Sequence, residues 1–302
     1  MLKYIMYNYI LILKIFIKEY IMSKIKITCD STCDLTSELY EKYNVDVIPL
    51  GITLGETLYH DGVDITSADV FKYVSETGAL PMTSAISVGE YEDIFKKYVD
   101  DGYSVIHINI SGEFSSCYRN ACIAAEDIGG VYPIDSRNLS SGSGHLVIEA
   151  AKMAEAGMEV KEIVSRLHEL IEKLDVSFVL QTLDYLKKGG RCSGIVALGA
   201  NLLQLKPEIE VGEGKMHVGR KYRGKIDRSV SDYIRGRLEG RDDIVCDRIF
   251  VTHSHAPREI VDEAIKLVGE LHPFTEIIET VAGCTISSHC GPACLGVLFF
   301  KK

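Results

Sequence analysis

The sequence runs to 302 residues with 46% hydrophobic and 25% charged side chains, a globular composition that excludes a disordered or collagen-like chain. Lysine and arginine number 33 against 43 aspartates and glutamates, and the net charge of −10 disfavours a general binder of nucleic acid or anionic membrane. Nine cysteines, an odd number with no C-x-x-C pair, fit reduced and mostly buried thiols in a cytoplasm better than a disulfide scaffold or a zinc ribbon.

Residues 1–22 are rich in Ile, Leu and Tyr. Their longest uncharged stretch, Tyr4 to Leu13, is shorter than the ~18–20 residues that cross a bilayer. Lys14, Lys18 and Glu19 interrupt the remainder of the segment, and no small-x-small cleavage site is present. Met22 therefore reads as the biological start, with 1–22 an upstream extension; an interfacial amphipathic anchor is the competing reading.

From Lys24 the pattern becomes regular. Ile25, Ile27 and Cys29 alternate through a strand closed by Asp30-Ser31-Thr32, and Leu35 to Tyr43 reads as a helix capped by Thr36 or Asp34. Val45 to Leu54 is a second strand, and helices follow from Ile65 through Val74 and over Val88 to Asp100. Ser104 to Ile110 is a buried strand backed by a helix over Phe114 to Asp127. Val131 to Ile134 is a strand, and Gly144 to Ala156 a helix. Strands alternating with helices at this spacing predict a parallel sheet covered on both faces.

The second half differs. Val160 to Leu174 is strongly amphipathic, Ser177 to Leu180 is a strand, and Lys187-Lys188-Gly189-Gly190-Arg191 reads as a loop. Ile195 to Leu205 predicts a buried helix, and Glu208 to Arg220 a hairpin turning at Gly212-Glu213-Gly214. A helix over Ile226 to Leu238, a strand over Arg248 to His253 and a helix over Arg258 to Leu271 come next. Strands over Glu276 to Val281 and Leu295 to Phe300 complete the chain. The expected fold is α/β in two domains. An N-terminal parallel sheet flanked by helices occupies 23–160, and a C-terminal mixed sheet with helices occupies 161–302.

Hydroxyl residues cluster where strands end: Asp30-Ser31-Thr32, Ser111, Asp135-Ser136, the polar loop Met82 to Ser87, and Ser115-Ser116 at a helix start. Each alone is a cap or turn residue, but together on one sheet edge they point to an anion or carboxylate site. No G-x-S-x-G elbow, Walker loop or G-x-G-x-x-G fingerprint is present. His253-Ser254-His255 offers two imidazoles on one face of a strand end without an obvious carboxylate partner, so no metal site is assigned.

These segments carry a resemblance. Asp30-Ser31-Thr32-Cys33-Asp34-Leu35, Thr83-Ser84-x-x-Ser87 and Ile110-Ser111-x-x-Phe114-Ser115-x-x-Tyr118 occur in the order found in the DegV family of bacterial fatty-acid-binding proteins. Asp184 to Arg191, Lys206-Pro207 and His289-x-Gly291-Pro292-x-x-Leu295-Gly296 continue that order, so the chain from Lys24 to Phe300 resembles the family. The resemblance implies two α/β domains enclosing one long-chain fatty acid, whose carboxylate is held by hydroxyls and presented to a separate kinase that makes the acyl phosphate. It implies no catalytic residue and no cofactor beyond the bound fatty acid. It places the carboxylate at Thr83 and Ser115, with Ser84, Ser111 and His289 as neighbouring or head-group residues. Three positions depart from the family pattern: Ile86 for a proline, Gly112 for a serine, and Ala293 for a glycine. Arg191, Lys187 and Lys188 form a basic run suited to docking the kinase, or an ordinary solvated turn. Stable membrane insertion and nucleic-acid partners are not expected.

Burying an acyl chain is worth about 0.8 kcal/mol per methylene, so the tail supplies affinity and the head only has to be paired. Two rival classes stand beside this reading. One is an enzyme acting on a small phosphorylated or carbonyl substrate with His289 as acid/base. The other is a membrane-attached lipid module using residues 1–22.

Overall fold

In the computed structural model, residues 24–192, 194 and 205–302 are described; the segment 1–22 and nearly all of the helix expected over 195–205 lie outside them. The first strand, β1 (Lys24–Asp30), buries its last five residues and leads through a 3-10 turn into α1 (Ser37–Lys42). Thr36, rather than Asp34, caps that helix, its side chain accepting the Leu39 N–H at 3.3 Å. The single strand expected over 45–54 divides at Pro49. A proline has no N–H to give a ladder, so the chain leaves one sheet after β2 (Asp46–Ile48) and enters another at β3 (Gly51–Leu54). β3 forms a small antiparallel sheet in the order β4-β3-β5, with β4 (Thr57–His60) and, beyond helix α2 (Ser67–Thr77), β5 (Met82–Ser84). The polar loop expected at 82–87 is thus partly an edge strand.

Helix α3 (Val88–Asp100) opens with a capping box between Ser87 and Glu90, and buries Tyr91 and Phe95. β6 (Tyr103–Asn109), helix α4 (Cys117–Ile128) and β7 (Val131–Asp135) follow, and the all-parallel order β2-β1-β6-β7 completes the first sheet. Next comes α5 (Ser140–Glu155), which begins four residues earlier than expected because its first turns, Ser-Ser-Gly-Ser-Gly, are buried rather than looped out. Helix α6 (Val160–Ile171) lays Val160, Ile163, Leu167 and Ile171 against α5, β6 and β7. Leu174 starts the next strand, so the amphipathic stretch ends one turn short of the expected boundary.

The second sheet runs β10-β9-β8-β13-β11-β12. It comprises β8 (Leu174–Val179), β9 (Leu205–Gly212), β10 (Lys215–Arg223), β11 (Ile244–His253), β12 (Glu276–Val281) and β13 (Leu295–Lys301). Among its described strands only β11 and β12 pair in parallel, which makes the sheet mixed as expected. Between β8 and β9, the segment expected as a loop forms a short helix, α7 (Asp184–Gly189), ended by Gly190 in the left-handed region. Helices α8 (Ile226–Leu238) and α9 (Arg258–Leu271) cover the sheet's outer face with a core of their own. Helix α10 (Cys284–Cys290), between β12 and β13, packs on the small sheet, α2 and α7.

One continuous core links the inner faces of both large sheets through α5. A second link is electrostatic. Asp61 accepts the backbone N–H groups of Cys284 (2.7 Å) and Thr285 (2.9 Å), and Asp34 accepts that of Gly283 (2.9 Å), so two carboxylates from the N-terminal half hold the start of α10. Asp34 also shares a short hydrogen bond with Ser140 at the head of α5. Burial raises the Asp34 carboxyl to about 8, against the lowering effect of its Ser140 and Gly283 bonds, and the Asp61 charge raises it further.

An acid whose folded pKa is raised contributes most to stability below its unfolded value near 4, and that contribution is lost as pH climbs through about 8. Asp34→Asn keeps the shape and tolerates the left-handed backbone of this position (φ 49°). Urea melts between about pH 5 and about pH 9 should show the parent losing stability toward the alkaline end while the variant stays flatter. Parallel curves would mean that Asp34 is ionised throughout.

Candidate functional site

The carboxyl ends of β1, β2 and β6 open toward α10, and there a cleft of about 680 Å³ including its open mouth separates the two halves. Its apolar wall is Leu50, Ile110, Phe114, Leu139, Met216 and Ile286. Leu139, Ile286 and Cys290 also line a narrow inner chamber of about 20 Å³, bounded further in by Phe178, Cys294 and Leu298. The polar groups stand at the cleft: Thr83, Ser84, Ser115, Ser116, Thr285, Arg191 and His289. An elongated apolar pocket with polar groups gathered at one end suits an amphiphile.

Thr83 and His289 face each other across 206 residues of sequence, Thr83 Oγ1 lying 3.0 Å from His289 Nε2. His289 Nδ1 is buried without a partner and rests against Gly189, where a β-carbon would come within 2.3 Å of it. An orphaned N–H costs more than an orphaned lone pair, so we assign the ring proton to Nε2. His289 then donates to Thr83, which leaves the Thr83 O–H free to donate to a ligand. Burial, then the neighbouring Arg191 charge, lowers the His289 pKa to about 4, so the imidazole is neutral at physiological pH.

Arg191 is the cationic side chain that lines the cleft among the described residues. Its Nη1 donates to the Gly189 carbonyl at 2.7 Å and its Nε to the Phe114 carbonyl at 3.3 Å, so it bridges the two halves at the mouth. Lys187 and Lys188 stay exposed on α7 and do not line the cleft. The three basic residues expected as one run therefore divide, with only Arg191 at the site.

Ser115 and Ser116 stand just before α4, which starts at Cys117 rather than Phe114. Ser115 Oγ accepts the Cys117 N–H at 3.2 Å and lies 3.1 Å from its thiol. Both serines line the cleft at the positive end of a twelve-residue helix. Ser84 sits at the rim. Ser111 does not line the cleft: it is buried and donates to the Gly214 carbonyl at 2.8 Å, pinning the β9–β10 turn to the loop after β6.

The other strand-end groups are structural. Asp30 is fully buried and accepts bonds from Tyr91 (2.7 Å), His107 (3.1 Å) and the Ile110 N–H (2.9 Å), which fixes the turn carrying Ile110 to Ser116. Ser31 bonds Asp61, and Ser136 bonds Ser143. His253 pairs with Glu279 and His255 with Ser67, so the two imidazoles part company. Among the described residues no group of three His, Cys, Asp or Glu side chains is placed to hold a metal ion, and no helix is long and apolar enough to cross a membrane.

The family described as "Uncharacterised protein, DegV family" matches residues 24–302. The chain belongs to the DegV family. A DegV domain-containing protein of Clostridium acetobutylicum is 34% identical over 285 residues, covering 93% of this chain and 100% of its own. A DegV family structure from Thermus thermophilus, described for its fatty-acid binding, superposes with a TM-score of 0.83 at 29% identity, covering 92% of this chain and 100% of that one. A stearic-acid-binding protein from Eubacterium ventriosum superposes with a TM-score of 0.77 at 26% identity, over 92% of this chain and 98% of its own. The α/β fold expected from the sequence is the DegV fold. Sequence reasoning placed Arg191 in a docking run at the cleft mouth, but missed Gly189 as the seat of the His289 ring and Thr285 altogether. A histidine four residues after a threonine in a short helix leaves no periodic signal.

Gly189→Ala should push the His289 ring off its seat, since the obstruction at 2.3 Å is the ring itself. With the ring displaced toward solvent, its titration midpoint, followed by NMR of the imidazole protons, should climb from about 4 toward the ordinary histidine value. A midpoint that stays put would mean the ring has room that the packing denies.

Proposed function

We propose that this DegV protein binds one long-chain fatty acid between its two sheets and presents the carboxylate to a partner kinase for acyl-phosphate formation. The observation that carries the reading is the neutral Thr83–His289 pair at the mouth of an apolar chamber. On this reading the two lobes are separate α/β domains with the acyl chain between them, and the tail enters the inner chamber past Leu139 and Ile286. A buried carboxylate left unpaired is costly, and here Thr83, Ser115 and the start of α4 supply donors without placing a cation directly on it. One carboxylate oxygen then stays open to a phosphoryl donor, with Arg191 at the mouth to steady the transferred group. The fatty acids named for the Thermus and Eubacterium relatives support the same ligand class.

An acid/base role for His289 in turnover of a small substrate draws no support from the site. A general base works best with a pKa near the working pH, and this ring sits at about 4 with its second nitrogen unpartnered. Lys187 and Lys188, exposed beside the mouth, suit electrostatic steering of an anionic nucleotide-bearing partner.

Thr83→Val combined with Ser115→Ala should weaken fatty-acid binding about ten- to a hundredfold, the worth of one or two hydrogen bonds to a charged group, without changing the melting temperature much. Calorimetry with hexadecanoic acid checks this, and unchanged affinity would remove both residues from the head-group site. Arg191→Ala should keep its fatty acid but couple poorly to the kinase, most clearly at low salt. Coupling kinetics matching the parent across a salt series would leave Arg191 as a structural bridge only.

A further inference from the structure

Thr285 stands out among the cleft residues. The residue is 4% exposed, it lines the cleft, and its Oγ1 is buried with no hydrogen-bond partner. Several other hydroxyls near the cleft and the chamber are engaged: Thr83 with His289, Ser115 with Cys117, Ser177 with Tyr233, Ser254 with the Gly291 carbonyl. A buried hydroxyl left unpaired costs enough that native proteins seldom keep one without use, and a valine of the same shape would avoid the cost.

Its position says what would pair it. On α10, Ile286 and Cys290 line both the cleft and the inner chamber, while Thr285 and His289, four residues apart, line the cleft alone, one helical turn from each other. A turn of helix rises about 5.4 Å, the length of a few carbon–carbon bonds. With the carboxylate at Thr83 and His289, a chain running along α10 toward its start would pass Thr285 within its first few carbons.

Resting on the fatty-acid reading above, we propose that Thr285 selects acyl chains that carry an oxygen close to the carboxylate, 2- or 3-hydroxy fatty acids. The ligand hydroxyl either donates to Thr285 or accepts from it, and that one hydrogen bond gives the orphan a partner. A chain lacking that oxygen leaves Thr285 unpaired in the complex. Sites built to bond a ligand hydroxyl discriminate against the analogue without it far better than apolar walls discriminate by size.

The test measures binding of hexadecanoic, 2-hydroxyhexadecanoic and 3-hydroxyhexadecanoic acids to the parent, Thr285→Val and Thr285→Ser. The parent should prefer one hydroxy acid by about tenfold over hexadecanoic acid, the worth of one buried hydrogen bond. Thr285→Val should erase that preference while binding hexadecanoic acid at least as well, and Thr285→Ser should retain it. Since Thr285 Oγ1 bonds nothing, the valine variant should melt no lower than the parent; the serine variant serves as the reading if it does. Equal affinities for all three acids in the parent would overturn the inference and leave the fatty-acid reading standing. Loss of all three acids alike in Thr285→Val would also overturn it, by moving Thr285 to the carboxylate. Failure of the parent to bind any of the three would overturn the fatty-acid reading itself.

Discussion

Helix α5 is buried along most of its length, and two sheets close on it from opposite sides. Its first turns accept this only because they are small. A β-carbon on Gly142 would meet Val176 of the second sheet at 2.8 Å, and one on Gly144 would meet the Cys33 carbonyl at 2.8 Å on the other side. Serines fill the remaining places and bond their hydroxyls, Ser140 to Asp34 and Ser141 to Thr252 from the packed elements and Ser143 to Ser136 in the loop just before the helix. Close packing of this kind leaves few voids, so a chamber that survives beside α5 reflects the shape of its walls rather than loose assembly.

The cleft depends on the same arrangement. Where α5 begins, the carboxyl ends of the parallel strands and the short helix α10 are held in place by the Asp34 and Asp61 bonds to its first N–H groups. These bonds to buried acidic side chains hold the helix that carries Thr285 and His289, which line the same cleft as Thr83 and Ser115. Burial keeps His289 neutral, Thr83 becomes a donor, and Arg191 stays at the rim. In an acidic protein this gathers the donors at one mouth, and no lysine or arginine lines the inner chamber.

Much of the fold could be read from residue pattern. The alternation through Ile25, Ile27 and Cys29, the apolar run Ser104 to Ile110 and the stripe from Ile163 to Ile171 all encode burial on one face, and burial is what fixes those elements. The small sheet was not legible, because Pro49 splits one apolar run between two sheets and β5 reads as polar loop. Helix α10 was invisible for a related reason: its start is stabilised by Asp34 and Asp61, more than two hundred residues away in sequence. The site shows the same division. Thr83 and Ser115 came from motif order, whereas Ser111 serves the Gly214 turn, and Thr285 emerges only once its unpaired hydroxyl is seen in the cleft wall.

The central claim, one acyl chain held between the two sheets, is tested most directly by native mass spectrometry of the purified chain before and after addition of hexadecanoic acid. The account predicts a single fatty-acid adduct per chain, retained from the expression host or acquired on addition, and exchange of one acid for another at constant stoichiometry. A spectrum showing only the bare chain in both conditions would contradict it.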